Sequence, residues 1–404
     1  MNTSTLPKSG GEKGDVVLES IREQRDIRVY DSYDVIIIGG GVAGMSAALA
    51  ARRNGMRTLL VEKAAFMGGL ATLGHVCLYL PLCDGNGRKV IGGISEELLH
   101  LSIQYGYNDL PEGWTRGILH HPDPKGRYKT WFNIPAFVLA ADELMENEGV
   151  DILYDTVFCE PVMDGKTVTG VIVENKSGRC AYKAKMVVDA SGDADVLYRA
   201  GAACFDRPTI LSYWCYETDF KHMRKALESG NIRDAVVVPM MGLLPKIEPE
   251  DMTGERADKP GERGQMREYY GTDGKEVSQY LQVSRKFALE RLKERMGPEY
   301  TQLSVAGMGA FRTTRRITGC YELHPEDMNK HFDDSIGCTG DWRKAGPVYE
   351  IPYRCLIDPK VQNVFAAGRI IASADDAWEV TRVIPTAAMT GEAAGTAAAL
   401  AVRS

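Results

Sequence analysis

Three glycines near the N-terminus have the spacing of a dinucleotide-binding turn. Gly39, Gly41 and Gly44 fit GxGxxG and lie between a β-branched run, Asp34–Ile38, and the helical pattern Met45–Arg53. In such a unit the first glycine permits the turn, the second lets the backbone approach a pyrophosphate, and the third packs the helix against the strand. The motif alone is a weak signal, but the order strand, turn and helix favours a Rossmann-type unit.

An acidic residue follows where such a unit needs one. Gly55 ends the helical pattern, and Arg57–Val61 predicts a second strand that leads into Glu62. A carboxylate at this distance from the glycines accepts a hydrogen bond from a ribose hydroxyl. The sequence therefore predicts a βαβ nucleotide site, which could hold either NAD or FAD.

Two further segments favour FAD. In Lys63–Thr72, Gly68 and Gly69 follow the acid and could let the backbone pass close to a cofactor, although an ordinary flexible loop has the same pattern. Met186–Asp195 is an apolar strand that closes on a turn of small residues and would return the chain to the nucleotide sheet.

A third segment lies near the C-terminus. Asn363–Arg369 again predicts a strand and a turn, and Pro385 opens an alanine-rich helix that continues to Leu400. A helix beginning near Thr386 would direct free backbone N–H groups at an anion. In a flavoprotein that anion would be the reduced flavin ring.

These residues resemble the FAD-dependent oxidoreductase family within the glutathione-reductase-like flavoproteins, with similarity to the flavin domains of heterodisulfide reductase and fumarate reductase. The resemblance begins near Ile27 and covers nearly all of the chain. It rests on DVIIIGGGVAGMSAALAARRNG, LLVEK, GGLAT, DASGDAD, FRTTRRITGCYEL, DDSIG, IPYRCLI, NVFAAGR and RVIPTAAMTGEAAGTAAALA. The implied cofactor is FAD.

The resemblance also implies which residues bind the cofactor. Glycines of the first turn would contact the pyrophosphate, Glu62 the adenosine ribose, and the C-terminal segments the ribityl chain and isoalloxazine ring. The full set is Gly39, Gly41, Val42, Ala43, Gly44, Glu62, Lys63, Gly68, Gly69, Leu70, Ala71, Thr72, Ala190, Ser191, Gly192, Gly368, Arg369, Ile384 and Thr386. Two departures put contacts in doubt: Arg369 stands where an aspartate is common, and Ser373–Glu379 lacks a histidine often found there.

The expected fold is α/β, a Rossmann-like FAD-binding domain of the glutathione-reductase type with an inserted α+β substrate or cap domain. The predicted parts are a polar tail at 1–30, an FAD-binding domain at 31–74, 150–204 and 346–404, and a cap at 75–149 and 205–345. Within the cap, the patterns predict helices at Phe132–Met145 and Val277–Arg295, a strand at Thr209–Thr218 and an exposed loop at Glu248–Lys275.

Arginines are the first candidates for catalysis, because the flavin supplies the hydride chemistry and the protein must supply orientation and charge. Arg382 could bind a substrate anion or act on the flavin electrostatically, and a surface salt bridge is the alternative. Arg312, Arg315 and Arg316 could bind an anionic substrate or the pyrophosphate, and a solvated basic face is the alternative. We take Arg316 from this cluster as a catalytic candidate.

Histidines are the second class of candidate, since a neutral-pH acid or base is usually histidine. His75 lies just beyond the GGLAT loop and ranks first, while His120 and His121 lie in a loop flanked by prolines. For each of them, an exposed loop histidine without chemistry is the plainer interpretation.

Composition excludes several other functions. A net charge of −7 argues against nucleic-acid binding, which needs a basic stripe. Nine scattered cysteines without CxxC argue against a metal site or an iron–sulfur cluster. The polar N-terminus lacks a secretion signal, no stretch has the pattern of a membrane span, and we expect a cytoplasmic protein.

The leading hypothesis is a FAD-dependent oxidoreductase of the dehydrogenase or reductase type, which transfers a hydride between flavin N5 and a small organic substrate that could be anionic. No second GxGxxG follows, so no dedicated NAD(P)H domain is expected. The alternatives are an electron-transfer protein that works with a separate iron–sulfur partner, and a protein in which FAD is structural.

Overall fold

The computed structural model describes residues 21–108, 110, 129–241 and 267–404. The helices are α1 Val42–Arg53, α2 Gly93–Ile103, α3 Ile134–Glu148, α4 Asp195–Arg199, α5 Phe220–Ser229, α6 Gly274–Glu294, α7 Asp375–Thr381 and α8 Ile384–Arg403. The strands are β1 Arg28–Ile38, β2 Thr58–Val61, β3 Leu78–Tyr79, β4 Thr130–Trp131, β5 Asp151–Leu153, β6 Val157–Asp164, β7 Thr167–Asn175, β8 Gly178–Asp189, β9 Cys204–Asp206, β10 Thr209–Ile210, β11 Tyr213–Trp214, β12 Tyr216–Asp219, β13 Met240–Met241, β14 Glu268–Tyr269, β15 Tyr300–Ser304, β16 Arg315–Ile317, β17 Ser335–Gly340, β18 Val348–Pro352 and β19 Val364–Ala366.

A parallel sheet forms the centre of the molecule. Strands β5, β2, β1 and β8 run side by side in parallel, and β19 adds to the far side of β8 along its second half. The first half of β8 pairs instead with β7, which continues antiparallel to β6. The buried strand β2 and the buried end of β1 carry β-branched and leucine side chains, as parallel strands covered on both faces do. The predicted Rossmann-like α/β class is confirmed.

Helices α1 and α8 pack closely against each other beside this sheet. A Cβ atom added at Gly391 or Gly395 of α8 would clash with the carbonyl oxygens of Ala43 and Ala47 in α1. Small residues therefore let the two helix backbones come into direct contact.

One predicted strand start differs from the structure. Strand β1 begins at Arg28 rather than Asp34, because the first half of β8 offers it a parallel partner. Helices α2 and α3, which lie in the range assigned to the cap, contribute to the main hydrophobic core, and Ser95 of α2 donates a hydrogen bond to Pro385 O at 2.9 Å. The domain division itself stays a prediction.

The remaining strands pair in small two-stranded sheets. The region predicted as one strand, Thr209–Thr218, is divided among β10, β11 and β12, each with a different partner. The helix predicted at Val277–Arg295 is α6, and the helix predicted at Phe132–Met145 is α3. Most of the predicted loop Glu248–Lys275 lies outside the described residues.

Across the described ranges, none of the helices combines enough length and hydrophobicity to cross a bilayer. In the same ranges, no cluster of three or more His, Cys, Asp or Glu side chains is arranged to hold a metal ion.

The contact between α1 and α8 predicts the effect of one methyl group. Gly395→Ala should lower the free energy of unfolding by about 1–3 kcal/mol, because its Cβ has no room beside Ala47. Gly274→Ala, at the start of α6 where a Cβ meets nothing within 4 Å, is the matched control and should be neutral. Urea unfolding of both variants measures the difference, and equal stabilities would contradict the packing argument.

Candidate functional site

The glycine turn lies at the carboxyl edge of the parallel sheet. Gly39 follows β1 with φ +100°, and its N–H donates to Val61 O at 2.8 Å. A Cβ at Gly39 would clash with Ala190 O, and one at Gly44 would clash with Gly39 O, whereas one at Gly41 would meet nothing within 4 Å. The first and third glycines are therefore required by packing, while the second borders open space.

The start of α1 faces the same space. Gly41 caps this helix without a side-chain hydrogen bond, and the first turn holds no acidic residue. Its backbone N–H groups and positive helix dipole are thus available to a phosphate. The turn has the shape and charge that a dinucleotide pyrophosphate requires.

Glu62 lies beside the turn, at the end of β2. Its side chain is buried, and its two oxygens accept hydrogen bonds from Gly40 N at 2.6 Å and from Ala64 N at 2.7 Å. Each carboxylate oxygen can accept a second bond, so a ribose hydroxyl can still be bound. The neighbouring Lys63 is exposed.

The loop Gly68–Thr72 is attached to the glycine turn. Gly68 N donates to Gly40 O at 2.8 Å, and a Cβ at Gly69 would lie 3.2 Å from Gly41 Cα. Residues Gly69–Ala71, which include Leu70, form one 3-10 turn, and Thr72 Oγ1 donates to Met67 O at 2.7 Å. Two glycine-rich segments predicted separately are therefore one structural unit.

A buried carboxylate organises the turn after β8. Asp189 accepts hydrogen bonds from the Ser191 side chain at 2.7 Å and from Val196 N and Leu197 N at 2.9 Å each. Burial raises its pKa to about 6, although these bonds favour the charged form. Asp189 thereby places Ala190 beneath Gly39 and presents the carbonyl of Gly192 at the sheet edge.

The C-terminal segment completes this edge. Gly368 follows β19 with φ +79°, and its N–H donates to Thr390 Oγ1 at 2.9 Å. Helix α8 begins at Ile384 without a side-chain cap and without an acid in its first turn. The side chain of Thr386 is buried and bonded to Thr339 at 2.8 Å. At this helix end the backbone, rather than the threonine hydroxyl, is available to a ligand.

Arg369 connects protein segments. Its guanidinium donates to Gly192 O at 2.6 Å, to Phe311 O at 2.8 Å and to Asp193 Oδ1 at 2.9 Å. These contacts with protein atoms account for an arginine at this position without a contact to the ribityl chain.

The predicted cluster of Arg312, Arg315 and Arg316 is not one site. Arg315 and Arg316 are neighbours on β16, so their side chains leave opposite faces. Arg315 pairs with Asp206 at 3.2 Å, and Arg316 pairs with Glu322 at 2.7 Å. Arg316 is thus ion-paired, although its Nε is buried without a hydrogen-bond partner among the described residues, and its catalytic role stays a prediction.

Another arginine group surrounds Glu379 of α7. Arg382 donates to Glu379 Oε2 at 2.8 Å through Nε. Burial alone would raise the pKa of Glu379, but Arg382, Arg312 and Arg207 together lower it to about 2. Nη1 of Arg207 is buried and has no hydrogen-bond partner among the described residues. Glu379, just before α8, is thus kept ionised by Arg382, with which it pairs directly, and by the charges of Arg312 and Arg207.

Sequence reasoning missed Arg207 and Glu379. Arg207 joins the group because β9 pairs with β16, after which Arg207 N donates to Thr314 O at 2.7 Å. The motif FRTTRRITG indicated Arg312. No sequence pattern indicated that β16, within this motif, would pair with β9 far earlier in the chain.

His75 connects the Gly68–Thr72 loop to the inserted strands. Its backbone N–H donates to Thr72 O at 3.1 Å, and its φ is +58°. Nδ1 lies 3.3 Å from Trp214 O, and Nε2 lies 3.0 Å from Ser304 Oγ. Because a carbonyl only accepts, Nδ1 carries the proton, and Nε2 accepts from Ser304. Burial lowers the pKa of His75, so the ring is neutral at pH 7. His120 and His121 lie outside the described residues.

Comparison with known proteins identifies the family of this chain. A family profile described as FAD dependent oxidoreductase matches residues 34–205 and 261–404. Digeranylgeranylglycerophospholipid reductase of Picrophilus torridus is 28% identical over 168 residues, which cover 40% of this chain and 39% of that protein. A fumarate reductase (cytochrome) of Shewanella frigidimarina is 32% identical over 79 residues, 20% of this chain and 13% of that protein. The chain thus spans less than half the length of these curated relatives.

A solved structure, the 3-ketosteroid-delta4-(5alpha)-dehydrogenase of Rhodococcus jostii RHA1, aligns with 92% of this chain and 98% of its own at 14% identity and a TM-score of 0.42.

Because Gly41 borders open space, we expect its substitution to weaken cofactor binding without destabilising the fold. Gly41→Ala should leave the urea midpoint of the cofactor-free protein unchanged and weaken FAD binding at least about tenfold, because the methyl group occupies the place of the pyrophosphate. Gly44→Ala is the comparison and should destabilise the fold itself. Flavin fluorescence titration measures the affinity; unchanged FAD binding by Gly41→Ala would contradict the assignment.

Proposed function

Since the chain belongs to the FAD-dependent oxidoreductase family and is an enzyme that binds FAD, we propose that it acts on a small organic anion. When bound, FAD supplies a hydride acceptor or donor at N5. The observation that carries the choice of an anion is the arginine group around Glu379. Residues of this chain would hold the cofactor, bind the substrate and transfer the proton.

The cofactor contacts follow from the carboxyl edge of the sheet. The turn at Gly41 and the start of α1 would hold the pyrophosphate, and Glu62 would accept a bond from the ribose. The Gly68–Thr72 loop, Gly368 and the start of α8 at Ile384 would border the flavin end. Parallel α/β sheets bind ligands at this edge, where strand order reverses.

The substrate contacts follow from charge. Arg207, Arg312 and Arg382 are permanently charged and are opposed by Glu379. A buried donor without a partner, such as Nη1 of Arg207, destabilises the protein unless a ligand satisfies it. A substrate carboxylate or phosphate would accept that bond from the guanidinium of Arg207.

A proton must also move when a carbon–hydrogen bond is formed or broken. His75 is buried and neutral, and its Nε2 accepts the proton of Ser304, which is exposed. Ser304 can exchange that proton with water. We therefore assign the pair as one proton-transfer relay: Ser304 Oγ takes a proton from the substrate as its own proton passes to His75 Nε2, and the imidazolium then returns that proton through Ser304 to water.

The substrate proposal predicts a dependence on charge. In anaerobic mixing with carboxylic acids and their methyl esters, the flavin absorbance of the oxidised or pre-reduced enzyme should change only with the acids. Arg207→Met should then lower kcat/KM by about 100-fold, chiefly through KM, as expected for a charged hydrogen bond. Arg199→Met, on an exposed arginine paired with Glu160, is the control.

Two results would overturn this assignment. One is that esters react as fast as acids, and the other is that Arg207→Met and Arg199→Met behave alike. FAD content, measured for each variant, separates a loss of substrate binding from a loss of cofactor.

The relay predicts a pH profile. Because the pKa of His75 is lowered from 6.5, turnover should be insensitive to this group above pH 7 and fall in acid, where the protonated ring cannot accept at Nε2. His75→Gln should lower kcat about 100-fold and remove that acid limb, and Ser304→Ala should lower kcat with KM unchanged. Stopped-flow flavin absorbance between pH 5 and 9 provides the rates. If His75→Gln keeps both the rate and the acid limb, the relay is wrong.

A further inference from the structure

Helix α5 carries large apolar side chains on its exposed side. Phe220 is 52% exposed, Met223 41% and Leu227 85%, and Ile232 in the following turn is 68% exposed. Phe220, Met223 and Leu227 follow the three- and four-residue spacing of one helix face. These four residues are called the α5 face below.

Basic residues border this face. Lys221, Arg224 and Lys225 are all exposed on the same helix, against a single acid, Glu228. Lys225 pairs with Asp234 at 2.7 Å, which leaves Lys221 and Arg224 without an ion pair among the described residues. The helix is therefore locally positive on a chain whose net charge is −7.

The size of the α5 face decides what it can bind. A ten-residue helix is about 15 Å long, whereas a stable protein interface takes roughly 20–30 residues and about 800 Å² from each partner. A membrane surface needs less, because a few inserted apolar side chains add to the attraction between cations and anionic headgroups. The combination of apolar and basic residues matches an interfacial helix.

We propose that the α5 face docks the protein reversibly on an anionic lipid surface. Phe220, Met223, Leu227 and Ile232 enter the boundary between headgroups and acyl chains, and Lys221 and Arg224 contact the lipid phosphates. The proposal goes beyond the oxidoreductase activity and does not depend on which substrate is used.

The test is sedimentation of the full-length FAD-loaded protein with vesicles. Binding is expected to vesicles of phosphatidylcholine with phosphatidylglycerol, to weaken with added salt, and to be absent with phosphatidylcholine alone. Leu227→Ser should weaken binding about tenfold, and Lys221→Glu with Arg224→Glu more than tenfold. Leu139→Ser, on an apolar residue of α3 that is 66% exposed, and Lys176→Glu are the controls and should bind as before.

The other outcomes overturn the proposal. They are binding to neither vesicle, equal binding to both, or equal losses in the α5 and control variants. A dimer in sedimentation equilibrium that Leu227→Ser dissociates would assign the face to a second copy of the chain instead. Flavin content and the thermal midpoint confirm that each variant is folded.

Discussion

The contact between backbones at the first turn determines the geometry of the whole site. Gly39 lies on Ala190, Gly44 lies against Gly39, and Gly391 and Gly395 bring α8 onto α1. At each of these places a single Cβ would occupy the position of a backbone oxygen. The backbones of β1, the glycine turn, α1 and α8 are thus closer together than any residue with a side chain would permit. Their contacts also fix the position of the segments that follow β8 and β19.

Those segments meet although they are far apart in sequence. The ends of β1, β2, β8 and β19 all lie at one edge, because the strands are parallel. Hydrogen bonds then join them: Gly68 to Gly40, and Arg369 to Gly192. The edge presents backbone N–H groups and two helix starts without side-chain caps. Arg382 pairs with Glu379 just before α8, so that region carries side-chain charge, whereas the glycine turn offers backbone N–H groups.

The sequence was informative where one residue type is physically required. Glycines forced by close packing, Glu62 after β2 and the proline that opens α8 could all be found from local patterns, and they define the Rossmann-like fold and the FAD cofactor. The arginine group could not be found in this way, because it depends on the antiparallel pairing of β9 with β16. Adjacent arginines suggested one cluster, whereas strand geometry separates Arg315 from Arg316. Helix α2 was not predicted at all, and its contact with the start of α8 through Ser95 joins segments that no local pattern connects.

The position of α8 also determines when the site can form during synthesis. Gly391, Gly395 and the start of α8 are translated long after the glycine turn and α1. Domains generally fold from the N-terminal side as the chain emerges. Here β1, α1 and β2 can emerge early, but the face of α1 that α8 covers stays exposed until translation reaches residue 403. The cofactor edge is therefore incomplete until α8 has emerged, and until then α1 exposes the small apolar residues that α8 later covers.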